Sequence, residues 1–110
     1  MIERAKKYLF DILLSIEAIE EFLIDFDFFQ YQNDLKTKSA VERQLGIIGE
    51  AVNKLAKEEP NIELQNSREI VNLRNRIIHS YDSIDDSIIW AIKTNHLPIL
   101  KYEIKKLLNT

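Results

Sequence analysis

Between residues 74 and 82 the chain reads RNRIIHSYD, which places an arginine, an asparagine, a histidine and a tyrosine within eight positions. Arginine carries a planar, permanently charged fork that matches phosphate oxygens. Histidine is the side chain whose ordinary pKa lets it take up and release a proton near neutrality. Together, and without a metal, Arg74 and His79 suffice for attack of an RNA 2′-hydroxyl on its own phosphodiester. The imidazole would move the proton, and the guanidinium would stabilise the extra negative charge on the pentavalent phosphorus. The same residue types also serve structure as paired charges, so residue type by itself does not decide between the two roles.

On a helix advancing about 100° per residue, Arg74 follows Ile70 by four and precedes Ile77 by three, so it interrupts an apolar stripe. Tyr81, seven residues on, returns to nearly the same line, while Asn75, Arg76 and His79 crowd an adjacent face. An unpaired guanidinium buried on that stripe would cost several kcal/mol. Arg74 must therefore meet an acidic partner such as Glu50, open into a solvated cleft, or lie at an interface. The first arrangement is purely structural; the other two make a site.

The elements that must position these residues read as helices. Ala5, Leu9, Ile12, Ile16, Ile19, Leu23 and Phe26 recur in steps of four and three, with Leu13 and Phe22 widening the stripe. The following DFDFFQYQND loses the period and reads as a frayed end and loop. A second helix is expected from near Asp34 to about Glu59, on Val41, Leu45, Ile48, Val52 and Leu55, with Pro60 ending it. Gly46 and Gly49 lie inside it, each costing about 1 kcal/mol relative to alanine. Close approach of a neighbouring helix is the expected compensation, because a phosphate-cradling loop would need a strand before it. A third helix starts at Asn66, with Glu69 three residues on as in a capping box, and carries Ile70, Leu73, Ile77 and Ile78. A fourth is expected behind Asp85 as cap, on Ile88, Ile89 and Ile92. A fifth has Pro98 in its first turn and Leu100, Ile104 and Leu107 in its stripe. The fold class is all-α: one antiparallel bundle of four to five helices spanning residues 1–110.

Composition agrees. The 110 residues include two Gly and two Pro, too few turn-formers for a β fold. Fifteen basic against eighteen acidic residues give a net charge of −3, so an RNA partner would have to be held by a local patch. The absence of Cys excludes disulfides, thiolate chemistry and Cys-based zinc sites. No apolar run approaches the ~18 residues of a membrane span, and the N-terminus lacks the pattern of a signal peptide. A cytoplasmic protein is expected.

The arrangement RNRIIHSY, an Arg-Asn pair followed by His-x-Tyr, resembles the signature of the HEPN superfamily, specifically its HepT-like branch. IIGEAVNKL at 47–55, EIVNLRN leading into the motif, Trp90 after it and HLPIL at 96–100 resemble that branch in matching order. The resemblance implies a helical bundle that forms a homodimer and sets Arg and His of both copies in one cleft. It implies a metal-independent endoribonuclease acting on RNA, usually the toxin of a type VII-like toxin–antitoxin pair. Its partner is a small nucleotidyltransferase antitoxin (MntA-like) that transfers AMP to the motif tyrosine. Carried over by residue, Arg74 and His79 are catalytic, Asn75 is a supporting polar residue and Tyr81 is the AMP acceptor, with no metal or other cofactor.

A second reading is a non-catalytic helical subunit that docks nucleotide or substrate for a nucleotidyltransferase; a charge-poor cleft would favour it. A third is a structural bundle whose Arg and His are salt-bridged away. His96 has no second His at ligand spacing, and Asp82, Asp85 and Asp86 lack the Gly and terminal Glu of a calcium loop. Phe26, Phe28, Phe29 and Tyr31 are expected to pack in core and loop, with a patch for a partner as the minority reading.

Overall fold

The stripe that begins at Ala5 folds the N-terminal helix onto everything else: Ala5, Leu9, Ile12, Ile16 and Ile19 are at most 1% exposed. The computed structural model describes residues 1–79 and 84–109. Among them it is all α, with α1 at Glu3–Phe22, α2 at Phe28–Gln32, α3 at Leu35–Glu58, α4 at Ser67–His79, α5 at Asp86–Ala91 and α6 at Leu97–Leu108. No helix among these residues is long and apolar enough to cross a membrane.

Helix α3 is central. Val41, Leu45, Ile48, Val52 and Leu55 are at most 2% exposed, and α3 packs against both α1 and α4. The pairing of α1 with α3 is antiparallel, since Arg4 near the start of one bonds Glu58 at the end of the other at 2.8 Å. Helix α6 closes over α1, with Lys101 reaching Glu20 at 2.8 Å, and it contributes Leu97, Leu100 and Ile104 to the core.

The expected loop after α1 contains a helix. Asp27 caps α2 in a full capping box, its carboxylate accepting from Gln30 N at 2.8 Å while Gln30 Oε1 accepts from Asp27 N at 2.8 Å. Five residues are too few to display a period, so only the cap signalled it. Tyr31 is the anchor, fully buried and tilted against Trp90 at a 5.4 Å centroid distance. Phe22 and Ile78 do not join the core as expected; they are 37% and 52% exposed, one at the last residue of α1 and the other at the end of α4. The expected fourth and fifth helices form one unbroken helical run, joined by a π-helical turn at Ile92–His96. Pro98 lacks an N–H and its ring crowds the carbonyl one turn back; the helix accommodates it by widening just before the proline. Asp85 caps α5 as its position suggested, accepting from Ser87 N at 2.8 Å and Ser87 Oγ at 2.6 Å.

Candidate active site

Helix α4 leaves a turn in which the Asn66 carbonyl accepts from Ile70 N at 3.1 Å, and it lays Ile70 and Leu73 against α3. Arg74 comes next on that line. Its Cβ and Cγ sit directly over Gly49 of α3: a Cβ added to that glycine would fall 2.8 Å from Arg74 Cγ and 3.2 Å from the Ile70 carbonyl oxygen, and closer still to Arg74 Cβ. One of the two helix glycines is thus explained by close approach. The other is not, because a Cβ on Gly46 would meet nothing within 4 Å.

The bare surface at Gly49 lets the Arg74 stem lie flat on α3, and its head then meets the next residue of that helix. Arg74 Nη2 donates to Glu50 Oε2. Its other terminal nitrogen, Nη1, donates to Asn75 Oδ1 at 2.9 Å. Sequence neighbours on a helix do not ordinarily face one another; here the long arginine side chain curls back to reach Asn75. Glu50 is shared, since its Oε1 lies 3.4 Å from Lys54 Nζ. The acidic partner anticipated for Arg74 is therefore present. The arginine side chain remains 22% exposed, but its Nε is buried and has no hydrogen-bond partner among the described residues. Of the five N–H groups of a guanidinium, two are engaged by Glu50 and Asn75.

His79 is the last residue of α4 and is exposed. No hydrogen bond joins it to Arg74 among the described residues, and Asn75 turns towards Arg74 rather than towards His79. Tyr81, the fourth residue singled out in the motif, lies outside the described residues.

Beside Glu50 a cleft of about 330 Å³ runs along the outer face of α3 between α1 and α4. Its floor is Gly46, Ile47 and Ala51, and its α4 wall is Ile77 and Ile78. Lys7 and Tyr8 line the α1 side, with Arg43 and Lys54 from α3. Lys7 is held by Asp11 at 2.7 Å, which pushes the lysine pKa up through the hydrogen bond and the opposite charge. Arg43 makes no ion pair among the described residues. The chain's reading as a sequence did not foresee this wall, because Lys7 and Tyr8 lie off the apolar stripe of α1, where nothing distinguishes a cleft wall from open surface.

The start of α5 is anchored on α3. Asp86, in the first turn of α5, pairs with Lys38 of α3 at 3.1 Å, and both side chains are mostly buried. Tyr31 and Glu42 stand nearby. Burial chiefly, with the charges of Glu42 and Asp86, pushes the Tyr31 phenol up. Burial likewise raises Glu42, with Lys38 opposing and Asp86 reinforcing. Among the described residues, no group of three or more His, Cys, Asp or Glu side chains is placed to hold a metal ion.

The fold is an antiparallel helical bundle in which one helix carries Arg74, Asn75 and His79, with the arginine paired to Glu50 of the central helix beside Gly49. The model of the family "Ribonuclease HepT-like" matches residues 12–107, and the chain belongs to this HepT-like ribonuclease family of the HEPN group. It is 36% identical over 103 residues to "Probable ribonuclease HepT" of Thermococcus cleftensis, an alignment covering 93% of this chain and 94% of that protein. It is also 36% identical over 104 residues to "Putative RNase MJ1380" of Methanocaldococcus jannaschii, covering 91% of this chain and 93% of that one. No solved structure matches the chain.

Proposed function

We propose that the chain is a metal-independent endoribonuclease acting as the toxin of a type VII-like toxin–antitoxin pair. In this reading His79 takes the proton from an RNA 2′-hydroxyl as its oxygen bonds the neighbouring phosphorus. The bond from phosphorus to the 5′-oxygen then breaks, and a protonated imidazole supplies the proton that the leaving oxygen needs. The products are a 2′,3′-cyclic phosphate and a 5′-hydroxyl. Arg74 stabilises the charge that builds on the phosphoryl oxygens, and Asn75 steers the guanidinium. The observation that carries the reading is Arg74 itself: fixed by Glu50 and Asn75, yet with its side chain still part-exposed.

The working form is a homodimer burying part of α4, with Arg74 and His79 of both copies in one cleft. The exposed Ile78 and the apolar floor at Gly46, Ile47 and Ala51 support such a contact. The partner is a small nucleotidyltransferase antitoxin that transfers AMP to Tyr81. The added phosphate would sit where the substrate phosphate must bind and would draw on the same guanidinium. A charge-poor cleft would favour a non-catalytic nucleotide-docking subunit; this one is charged, lined by Lys7, Arg43 and Lys54 with Asp11, Glu42 and Glu50, though not by Arg74 or His79.

The test is cleavage of RNA by the purified chain in EDTA. His79→Ala should lose roughly 10²–10⁴-fold in rate, the span of positioned acid–base catalysis, and mass spectrometry should find the cyclic phosphate. Activity that vanishes in EDTA and returns with Mg²⁺ would overturn the mechanism. Tyr81→Phe should still cut RNA yet escape AMP transfer. Sedimentation that finds only a species of the chain's own 13.0 kDa mass would remove the dimer.

A further inference from the structure

The turn from the end of α1 to the start of α3 has a surface that the fold does not use. Phe22, Ile24, Phe29 and Leu35 are 37%, 64%, 70% and 77% exposed, all within residues 22–35. Folding of this segment rests on other groups: buried Tyr31, the Phe28–Trp90 contact at 5.7 Å, and the Asp27 and Asp34 caps. Asp25 takes a left-handed backbone, φ 63°, to make the turn, a conformation that Asp tolerates better than most residues. Ile24, Phe29 and Leu35 stand mostly in water and Phe22 in part, and large apolar side chains exposed together mark a contact surface.

Charge says what kind of contact. Residues 17–34 carry six acidic side chains and no Lys or Arg, in a chain with fifteen basic residues elsewhere. Glu20 is neutralised by Lys101, whereas Glu21 and Asp25 have no ion pair among the described residues. A second copy meeting this face with its own would set acid against acid, and RNA would be repelled by it. Both occupants lose on electrostatics. A basic protein surface with apolar side chains is complementary on both counts.

Position adds a reason. The start of α3 is tied to the start of α5 by Lys38 and Asp86, and α5 begins just beyond the segment that follows His79. The surface therefore lies at the end of the bundle where α4 finishes, while Arg74 stands further along α3, over Gly49. We propose that the α1–α3 turn is the docking surface for a basic, apolar-faced segment of the nucleotidyltransferase partner, separate from the residues that cut RNA. The identity of that partner rests on the function proposed above; the basic character of the occupant rests on the surface.

The experiment compares the full chain with Phe29→Ser/Leu35→Ser, both positions being too exposed to carry the fold, and with Glu21→Gln/Asp25→Asn. Titration calorimetry against the purified small nucleotidyltransferase should show at least a tenfold weaker Kd for each double variant. Wild-type affinity should fall as salt rises. AMP transfer should lose kcat/KM through KM, and RNA cleavage by the free chain should stay within twofold. Unchanged affinity and unchanged AMP transfer in both double variants would overturn the surface while leaving the proposed function standing. If the wild type shows no affinity for the nucleotidyltransferase, that function fails instead, and a helical Lys/Leu peptide becomes the probe. Binding of that peptide to the wild type but not to Phe29→Ser/Leu35→Ser supports the surface; equal or absent binding overturns it. Self-association of the wild type that the same double variant abolishes would also overturn it, because the occupant would then be a second copy.

Discussion

Gly49→Ala and Gly46→Ala make the same chemical change on one helix, and they should act in opposite directions. In the middle of a helix the exchange is worth up to about 1 kcal/mol of stability through backbone entropy. Gly46 should collect that gain, because a new methyl there meets nothing within 4 Å. At Gly49 the methyl would lie 2.8 Å from Arg74 Cγ, against the ~3.5–4.0 Å at which carbon atoms pack. The nearest obstacle, Arg74 Cβ, is fixed to the α4 backbone and cannot swing aside, and the Ile70 carbonyl oxygen at 3.2 Å belongs to that same backbone. The whole helix must move. Overpacking of this kind costs about 1–3 kcal/mol, which leaves Gly49→Ala destabilised by up to about 2 kcal/mol after the propensity gain. The two variants should thus differ by the overpacking cost itself, about 1–3 kcal/mol, a gap of roughly 4–12 °C in Tm for a chain of this size. Helical circular dichroism followed through heating, at one protein concentration for all samples, reads it. A Gly49→Ala protein that melts no lower than Gly46→Ala would refute the close-packed contact between α3 and α4. Because the displaced residue is Arg74, the same variant should also lose RNA cleavage in excess of its loss of folded protein.

Three further outcomes follow from the contacts around the site. Glu50→Gln keeps the shape but removes the countercharge of Arg74; with both groups part-exposed, the stability loss should be about 1 kcal/mol or less, while RNA cleavage should fall about ten- to a hundredfold as the guanidinium loses its fixed position. Wild-type rates in that variant would make Arg74–Glu50 a purely structural pair. Lys38→Met leaves the mostly buried Asp86 carboxylate unpaired and should cost about 1–3 kcal/mol in urea unfolding; an unchanged midpoint would show that water reaches this pair. Glu42 is held above the ordinary carboxylate range mainly by burial, so the folded state retains its proton longer than the unfolded chain does. Its contribution is favourable below the unfolded pKa and is lost as pH rises through the folded one. Glu42→Gln should therefore raise Tm near pH 7, with the advantage shrinking as pH falls below the carboxylate range; a gain that does not vary with pH would contradict the assignment.

What was legible in the sequence follows the reach of a periodic signal. The stripes from Ala5 to Leu23 and from Val41 to Leu55 are long enough to show their period, and they are the buried faces of α1 and α3. Helix α2 has one buried residue, Tyr31, so no stripe could reveal it; its only local signal was Asp27 with Gln30 three residues on. The break expected at Pro98 is a π-helical turn, because one missing donor can be absorbed locally when Ile92, Leu97 and Leu100 remain buried on both sides of it. Phe29 was read as packing and stands 70% exposed, since an aromatic next to other aromatics has the same appearance on either side of a surface.

In the proposed function the two answers first available for Arg74, an acidic partner and an open site, are not alternatives. A guanidinium placed on the seam between α3 and α4 needs a countercharge to be there at all, and Glu50, one residue past the glycine that admits the stem, supplies it. That ion pair leaves the side chain 22% exposed, with Glu50 engaging Nη2 and Asn75 engaging Nη1, while Nε is buried. An arginine free in solvent would lose side-chain entropy each time it closed on a phosphate. Held in advance by Glu50 and Asn75, it loses less, and stabilisation from groups fixed beforehand is the form in which electrostatics lowers a barrier. The pair that stabilises the seam is thus also what gives the Arg74 fork a direction. Removing Glu50 and removing Gly49 should accordingly damage the same function by different routes, one through loss of charge and the other through displacement of the helix.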